Sequence, residues 1–263
     1  MRHDVEIKAG RLLEFCLVQL QAVRERPLVV GLQAPQGAGK TTLVARLIER
    51  WPEAGLRGAA VSIDDFYLTH EEQKQLAAAH PGNPYLEHRG YPGTHDLAIG
   101  ESTLVALRAL GHDGTARVPV YDKSLNGGRG DRLPEQAWRT VTGPLDLVFV
   151  EGWMFGFTPV AESTLSDPFL IEPNRMLAGY ERWYRHVDAM IVLRAMEPTF
   201  VLRWRVEAEE AMKARGLPGL SREAIEDYVR RFLPAYAVYA GRADRWPADR
   251  TLVLSLDGER RFV

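Results

Sequence analysis

The stretch Ala34-Pro35-Gln36-Gly37-Ala38-Gly39-Lys40-Thr41-Thr42 carries the densest chemical signal in the chain. Glycines, a lysine and hydroxyls in that order suit one task, the holding of a nucleoside triphosphate. Glycine lets backbone amides turn toward phosphate oxygens with no Cβ in the way. Lys40 brings a charge for the β- and γ-phosphates, and the Thr41 hydroxyl a ligand for Mg²⁺. Gln36, Gly37, Ala38, Gly39, Lys40, Thr41 and Thr42 are therefore expected to form an ATP-binding loop. The usual pattern is Gly, four residues, Gly-Lys-Ser/Thr. Ala34 stands in the first glycine position, which implies a backbone there at negative φ.

Carboxylates mark two further points. Phosphorylation of a hydroxyl needs a carboxylate to accept its proton and aim its lone pair, and Asp64-Asp65 can supply one. Asp64 is the better base candidate; Asp65 is expected to support Mg²⁺ or substrate, or to cap the next segment, since Asp also favours N-caps and turns. Glu151 follows Val148-Phe149-Val150 and resembles the acidic end of a Walker B strand, a place to hold Mg²⁺ directly or through water.

Basic residues cluster in glycine-rich turns. Arg89, Lys123, Arg129 and Arg132 suggest anion recognition, with Tyr121 in the same stretch. His95 and Asp96 are candidates for substrate hydroxyls. Arg203 and Arg205, in Phe200 to Glu209, are candidates for a lid that brings arginines to the transferring phosphate. The same spacing also fits a charged helix face with an Arg205–Glu209 pair. No cysteine pair or paired-histidine spacing suggests zinc.

Such residues need a frame. Apolar runs at 28–33, 59–63, 145–150, 189–193 and 251–256 alternate with helical patterns. That alternation predicts a P-loop NTPase-type α/β fold, a parallel five-stranded sheet with helices on both faces. Ligands of such sheets bind beyond the carboxyl ends of the strands, where the loop, Asp64-Asp65 and Glu151 all fall. Leu43, Val44, Leu47, Ile48 and Trp51 are spaced as one face of the helix after the loop. Residues 11–23 read as a helix before the core. The long segment 67–144, with one amphipathic helix from Ser102 to Leu110, reads as a substrate-binding insertion. The expectation is a single kinase domain over 1–263, with an N-terminal helix in 1–26 and a lid with C-terminal helices in 195–240.

Composition agrees. The 263 residues are 46% hydrophobic and 26% charged, as in ordinary globular enzymes. A net charge of −2 and the lack of a long basic run argue against a nucleic-acid partner. The single cysteine, Cys16, excludes an internal disulfide and fits a reducing compartment. No apolar run is long enough for a membrane span. The first residues lack a signal-peptide pattern, so the expected location is cytoplasmic. Oligomeric state is not legible.

The motifs also resemble one family. Ala34-Pro35-Gln36-Gly37…Gly39-Lys40-Thr41-Thr42-Leu43, Ser62-Ile63-Asp64-Asp65-Phe66-Tyr67-Leu68-Thr69, Gly82-Asn83…Leu86-Glu87…Arg89-Gly90…His95-Asp96-Leu97 and Tyr121…Lys123-Ser124…Gly128-Arg129-Gly130-Asp131-Arg132 are similar to those of D-glycerate 3-kinases. So are Glu151-Gly152-Trp153-Met154…Gly156-Phe157, Arg203-Trp204-Arg205 and Phe232-Leu233-Pro234-Ala235-Tyr236. That family lies within the wider uridine kinase and phosphoribulokinase group. The resemblance implies ATP- and Mg²⁺-dependent phosphorylation of D-glycerate to 3-phosphoglycerate, with Asp64 as base. Two alternatives stand beside it. One is a related kinase acting on a nucleoside, pantothenate or a sugar phosphate. The other is a non-catalytic ATP-binding regulatory protein, against which the presence of both Asp64 and Glu151 argues.

Overall fold

The computed structural model describes residues 2–23, 26–214, 216, 222–240 and 245–263. Runs rich in Val, Leu and Ala, apolar on both faces, form five parallel strands: β1 (Leu28–Gln33), β2 (Gly58–Ser62), β7 (Leu147–Gly152), β8 (Ala189–Ala195) and β9 (Thr251–Leu256). Four short strands lie between β2 and β7, namely β3 (Thr115–Val118), β4 (Tyr121–Asp122), β5 (Asp131–Arg132) and β6 (Arg139–Thr142). The sheet order is β2-β7-β1-β8-β9. All five strands expected from the sequence are present, with ends shifted by a residue or two. β2 stops at Ser62 because its hydroxyl accepts the Asp64 N–H at 3.3 Å and starts a 3-10 turn, Ile63–Phe66.

Alternate side chains of each strand face opposite layers. Leu28, Val30, Leu32, Leu147 and Phe149 pack against α1 (Arg2–Ala22) and α2 (Lys40–Arg50) through Leu12, Cys16, Leu43 and Leu47. Helix α1 thus begins well before the expected residue 11. Ile48, expected on the buried face of α2, is exposed. Burial of Cys16 pushes its thiol up to about 12, so the free cysteine is inert. Val29, Val148, Val150, Met190 and Val192 face the other layer, built on α4 (Leu97–Arg108), α7 (Glu181–Tyr184), α9 (Arg222–Arg230) and α10 (Leu233–Tyr239).

Segment 67–144 is more ordered than its composition suggests. It contains α3 (His70–Ala79), α4, the β3/β6 and β4/β5 antiparallel pairs and a one-turn segment α5 (Leu125–Gly128) in which Asn126 and Gly127 are left-handed. Helix α4 starts at Leu97, five residues before the expected Ser102, because the Asp96 carboxylate accepts the Ile99 N–H and caps it. Helix α3 has a legible signal that composition masked: Thr69 and Glu72 form a reciprocal capping box. Beyond β7 come α6 (Ile171–Met176), α7, α8 (Phe200–Lys213), α9 and α10. Of the expected lid, 215 and 217–221 lie outside the described residues, as do 24–25 of the N-terminal segment. Among the described residues no helix is long and apolar enough to cross a membrane.

Candidate active site

The sheet order does the positioning. β7 lies between β1 and β2, and Glu151 is in register with Leu32 on one side and Ser62 on the other. The loop after β1 and the turn after β2 therefore flank Glu151 at the carboxyl ends of the strands.

The loop is built as its sequence requires. Gly37 and Gly39 have φ of 76° and 84°, and Ala34 stays out of the left-handed region. A Cβ on Gly37 would also come within 2.7 Å of the Trp204 Cβ on α8, so glycine is required twice over. Gly39 caps α2 with no side-chain hydrogen bond. The first amides of α2 therefore present the positive end of the helix dipole to the cleft. Thr41 and Thr42 are exposed in that first turn. The Lys40 ammonium lies 2.6 Å from a Glu151 carboxylate oxygen, with the two side chains only 17% and 11% exposed. Lys40 and Glu151 thus meet at the carboxyl ends of the strands, and Thr41 follows Lys40 in the first turn of α2. Among the described residues, no group of three or more His, Cys, Asp or Glu stands ready to hold a metal ion by itself.

A second lysine–carboxylate pair stands beside the first. Lys123 Nζ is 2.5 Å from Asp64 Oδ2. Burial alone would raise the Asp64 pKa, but Lys123 and then Lys40 outweigh it and hold the carboxyl well below the usual range. Asp64 in turn keeps Lys123 charged. The base candidate is therefore an ionised, aimed acceptor. Tyr67, which the sequence did not single out, lies beside Asp64, and burial together with that carboxylate raises its pKa well above the usual phenol value.

Three comparisons bear on this arrangement. The chain is 43% identical over 246 residues to the chloroplastic D-glycerate 3-kinase of Arabidopsis thaliana, an alignment covering 90% of this chain and 54% of that one. It is 37% identical over 251 residues to the uncharacterized kinase mug58 of Schizosaccharomyces pombe, covering 90% of each. The structure of a D-glycerate 3-kinase from Cryptococcus neoformans var. grubii matches with a TM-score of 0.86 and 33% identity, covering 98% of this chain and 97% of that one. This chain belongs to the D-glycerate 3-kinase family. It spans about half the length of the Arabidopsis relative. No protein-family model matches it.

Within this family member, the remaining candidate residues divide sharply. Arg132 is only 12% exposed and is paired with Asp96 at 3.1 Å and Glu72 at 3.7 Å. Asp96 is in addition the α4 cap. Both are thus engaged in contacts that hold the segment together. The Asp65 carboxylate accepts the Tyr121 N–H at 3.3 Å and pins β4 to the turn, and burial raises its pKa. His95 is 4% exposed, stacks on Tyr67 at 4.5 Å and shares a 2.7 Å hydrogen bond with the Tyr180 hydroxyl. Burial drives its pKa down to about 3, so it stands as a neutral imidazole behind Tyr67. Arg89 donates to the Gly128 and Arg129 carbonyls and lies over the Tyr121 ring at 5.6 Å. It braces the loop that carries Lys123, with the Arg129 side chain exposed on that loop.

On α8 the two arginines part company. Arg203 turns to the Gly258 carbonyl, Glu259 and Glu207. Arg205 forms the expected pair with Glu209 and lies 5.5 Å from the Tyr228 ring. One residue was missed entirely. Arg260, at the far end of the chain and itself left-handed, donates to the Gly37 carbonyl at 2.8 Å and to the Trp204 carbonyl at 3.3 Å, and pairs with Glu207 at 2.6 Å. It ties the phosphate loop to α8. Its sequence context, Gly258-Glu259-Arg260-Arg261, carries no motif.

Proposed function

We propose that this chain is an ATP-dependent kinase that phosphorylates the primary hydroxyl of D-glycerate to give 3-phospho-D-glycerate. The observation that carries the reading is the pair of lysine–carboxylate contacts, Lys40–Glu151 and Lys123–Asp64, at neighbouring strand ends. The relatives named above supply the acceptor.

The amides at the start of α2 and Lys40 hold the triphosphate, and Thr41 and Glu151 are the residues that would hold Mg²⁺. Bound Mg²⁺ supplies charge that offsets the build-up on the transferring phosphoryl oxygens. Asp64 accepts a hydrogen bond from the acceptor hydroxyl. As that oxygen bonds to the γ-phosphorus and the bond to ADP breaks, Asp64 takes the proton. A carboxylate so far below its usual pKa is a weak base, but phosphoryl transfer through a loose transition state asks it for aim more than for strength.

D-glycerate also carries a carboxylate, which must sit away from the γ-phosphate. Lys123 has three N–H donors and commits one to Asp64. We assign the others to the acceptor, with Arg129 lending charge from the same loop and Arg89 from the segment that braces it. The test offers D-glycerate, L-glycerate, glycerol, uridine and pantothenate in parallel, with ADP release as the readout and phosphorus NMR to locate the new ester. D-glycerate should lead by at least tenfold. Glycerol or uridine turned over as well as D-glycerate overturns the substrate.

A further inference from the structure

Tyr228, on α9, lies where the nucleotide and acceptor halves meet. Its hydroxyl accepts the Gln36 side-chain N–H of the phosphate loop at 3.4 Å. From other directions Arg205, Asp64, Lys123 and Arg89 are close enough to act on the phenol electrostatically. The Arg205 and Arg231 guanidiniums lie 5.5 and 5.7 Å from the ring, and Phe232 packs at 4.9 Å. Those neighbours fix the ring. The hydroxyl proton, by contrast, finds no acceptor among the described residues, and neither does the Nε–H of Arg205 or of Arg231. A phenol O–H beside two guanidiniums with unused donors, between a phosphate loop and a base, is a place for an anion.

We propose that the Tyr228 hydroxyl donates a hydrogen bond to an oxygen of the transferring phosphoryl group, which makes Tyr228 a catalytic residue. The inference rests on the kinase reading above. Contact with Gln36 favours the phosphoryl group over the acceptor carboxylate, because Gln36 belongs to the loop that holds the nucleotide. In the step, the acceptor oxygen bonds to phosphorus, the bond to the nucleoside diphosphate breaks and Asp64 receives the acceptor proton. Tyr228 keeps its own. Its donor serves charge that develops during transfer, so its loss should fall on kcat rather than on substrate binding.

The test is Tyr228→Phe, which keeps the ring and its packing, beside Tyr228→Leu, which removes both. With ATP and D-glycerate, the Phe variant should lose about 10²-fold in kcat. KM for either substrate should move less than about threefold, and the melting temperature should hold. The Leu variant should lose as much or more. A second readout needs no turnover: the Phe variant should bind ADP normally but lose affinity for ADP with aluminium fluoride, a mimic of the transferring group. A Phe variant with the parent kcat reduces Tyr228 to packing. A raised glycerate KM at unchanged kcat moves the donor to the acceptor. If the parent protein ignores D-glycerate, the substrate reading fails on its own, and the fluoride experiment still decides the fate of Tyr228.

Discussion

The two halves of the cleft are built in opposite ways. The nucleotide half takes its loop and first helix from one continuous passage, β1, loop and α2, although Lys40 meets Glu151 on a neighbouring strand. The acceptor half is assembled from the turn after β2, the segment around residues 85–96, the β4–β5 region and α9. Its central contact joins Asp64 to Lys123 across most of the insertion. In the first half, residue type and spacing settle the role. In the second, pairing settles it, and pairing is a property of the fold. Arg132 and Lys123 show this directly. They are cations in the same stretch, yet one is held by Asp96 and Glu72 while the other reaches Asp64.

The largest expected effect breaks the nucleotide half. Lys40→Met removes the charge on the β- and γ-phosphates, and turnover should fall about 10³-fold or more. It also strands the largely buried Glu151. Loss of one partner from a buried pair costs on the order of 3–5 kcal/mol, somewhat less here because both groups retain some exposure. Adding Glu151→Gln should restore the melting temperature and leave turnover low. If the double variant recovers activity, the pair is structural and the phosphate loop has been misread. Glu151→Gln alone should shift the magnesium titration to higher concentration; an unmoved titration removes Glu151 from the metal site.

Next comes the acceptor half. Asp64→Asn keeps size and loses the proton acceptor, so turnover should fall roughly 10²- to 10⁴-fold with ATP binding near normal by calorimetry. Asp65→Asn should leave turnover within about tenfold and instead lower stability, since its carboxylate holds the Tyr121 N–H. If the two results are exchanged, the roles of the pair are reversed.

These contrasts show what was legible. The five strands and their parallel direction follow from apolar periodicity, and the loop from a motif a few residues long; the order in which the strands lie was not legible, because it is set by crossovers rather than by local pattern. Helix α3 was legible too, through its Thr69–Glu72 capping box, but was masked by reading composition rather than caps. The cations of the insertion were not. Arginine at a solvated surface, in a structural ion pair and in a substrate site has the same sequence signature, and only long-range contacts separate them. Arg203 and Arg205 make the same point on a helix: two residues apart, they face different ways.

A double comparison sharpens that difference. Lys123→Ala should raise the D-glycerate KM ten- to hundredfold, equivalent to about 1.4–2.7 kcal/mol of binding, and leave the ATP KM nearly unchanged. Arg132→Ala should do the reverse of a substrate residue: both KM values hold, while stability drops by roughly 1–3 kcal/mol as Asp96 loses its partner. Equal KM effects from the two would mean that the salt bridges of Arg132 do not decide its role.

The smallest expected effect concerns the one contact that links the phosphate loop to the end of the described chain. Arg260 donates to the Gly37 carbonyl through Nε and to the Trp204 carbonyl through Nη2, while Nη1 meets Glu207. Because Gly37 also packs against Trp204, the loop and α8 already touch without it. The arginine therefore adds orientation to a contact that packing supplies. One hydrogen bond from a charged donor contributes about 1.5–3 kcal/mol, and part of that is regained when water replaces it at this partly exposed site. Arg260→Ala should raise the ATP KM about three- to tenfold and leave the D-glycerate KM alone. Arg260→Lys restores the charge but not the planar fork, so it should recover little. Full recovery by lysine would show that the loop needs a nearby positive charge rather than a fixed Gly37 carbonyl. An effect on D-glycerate equal to that on ATP would show that α8 couples the two halves more tightly than their separate construction implies.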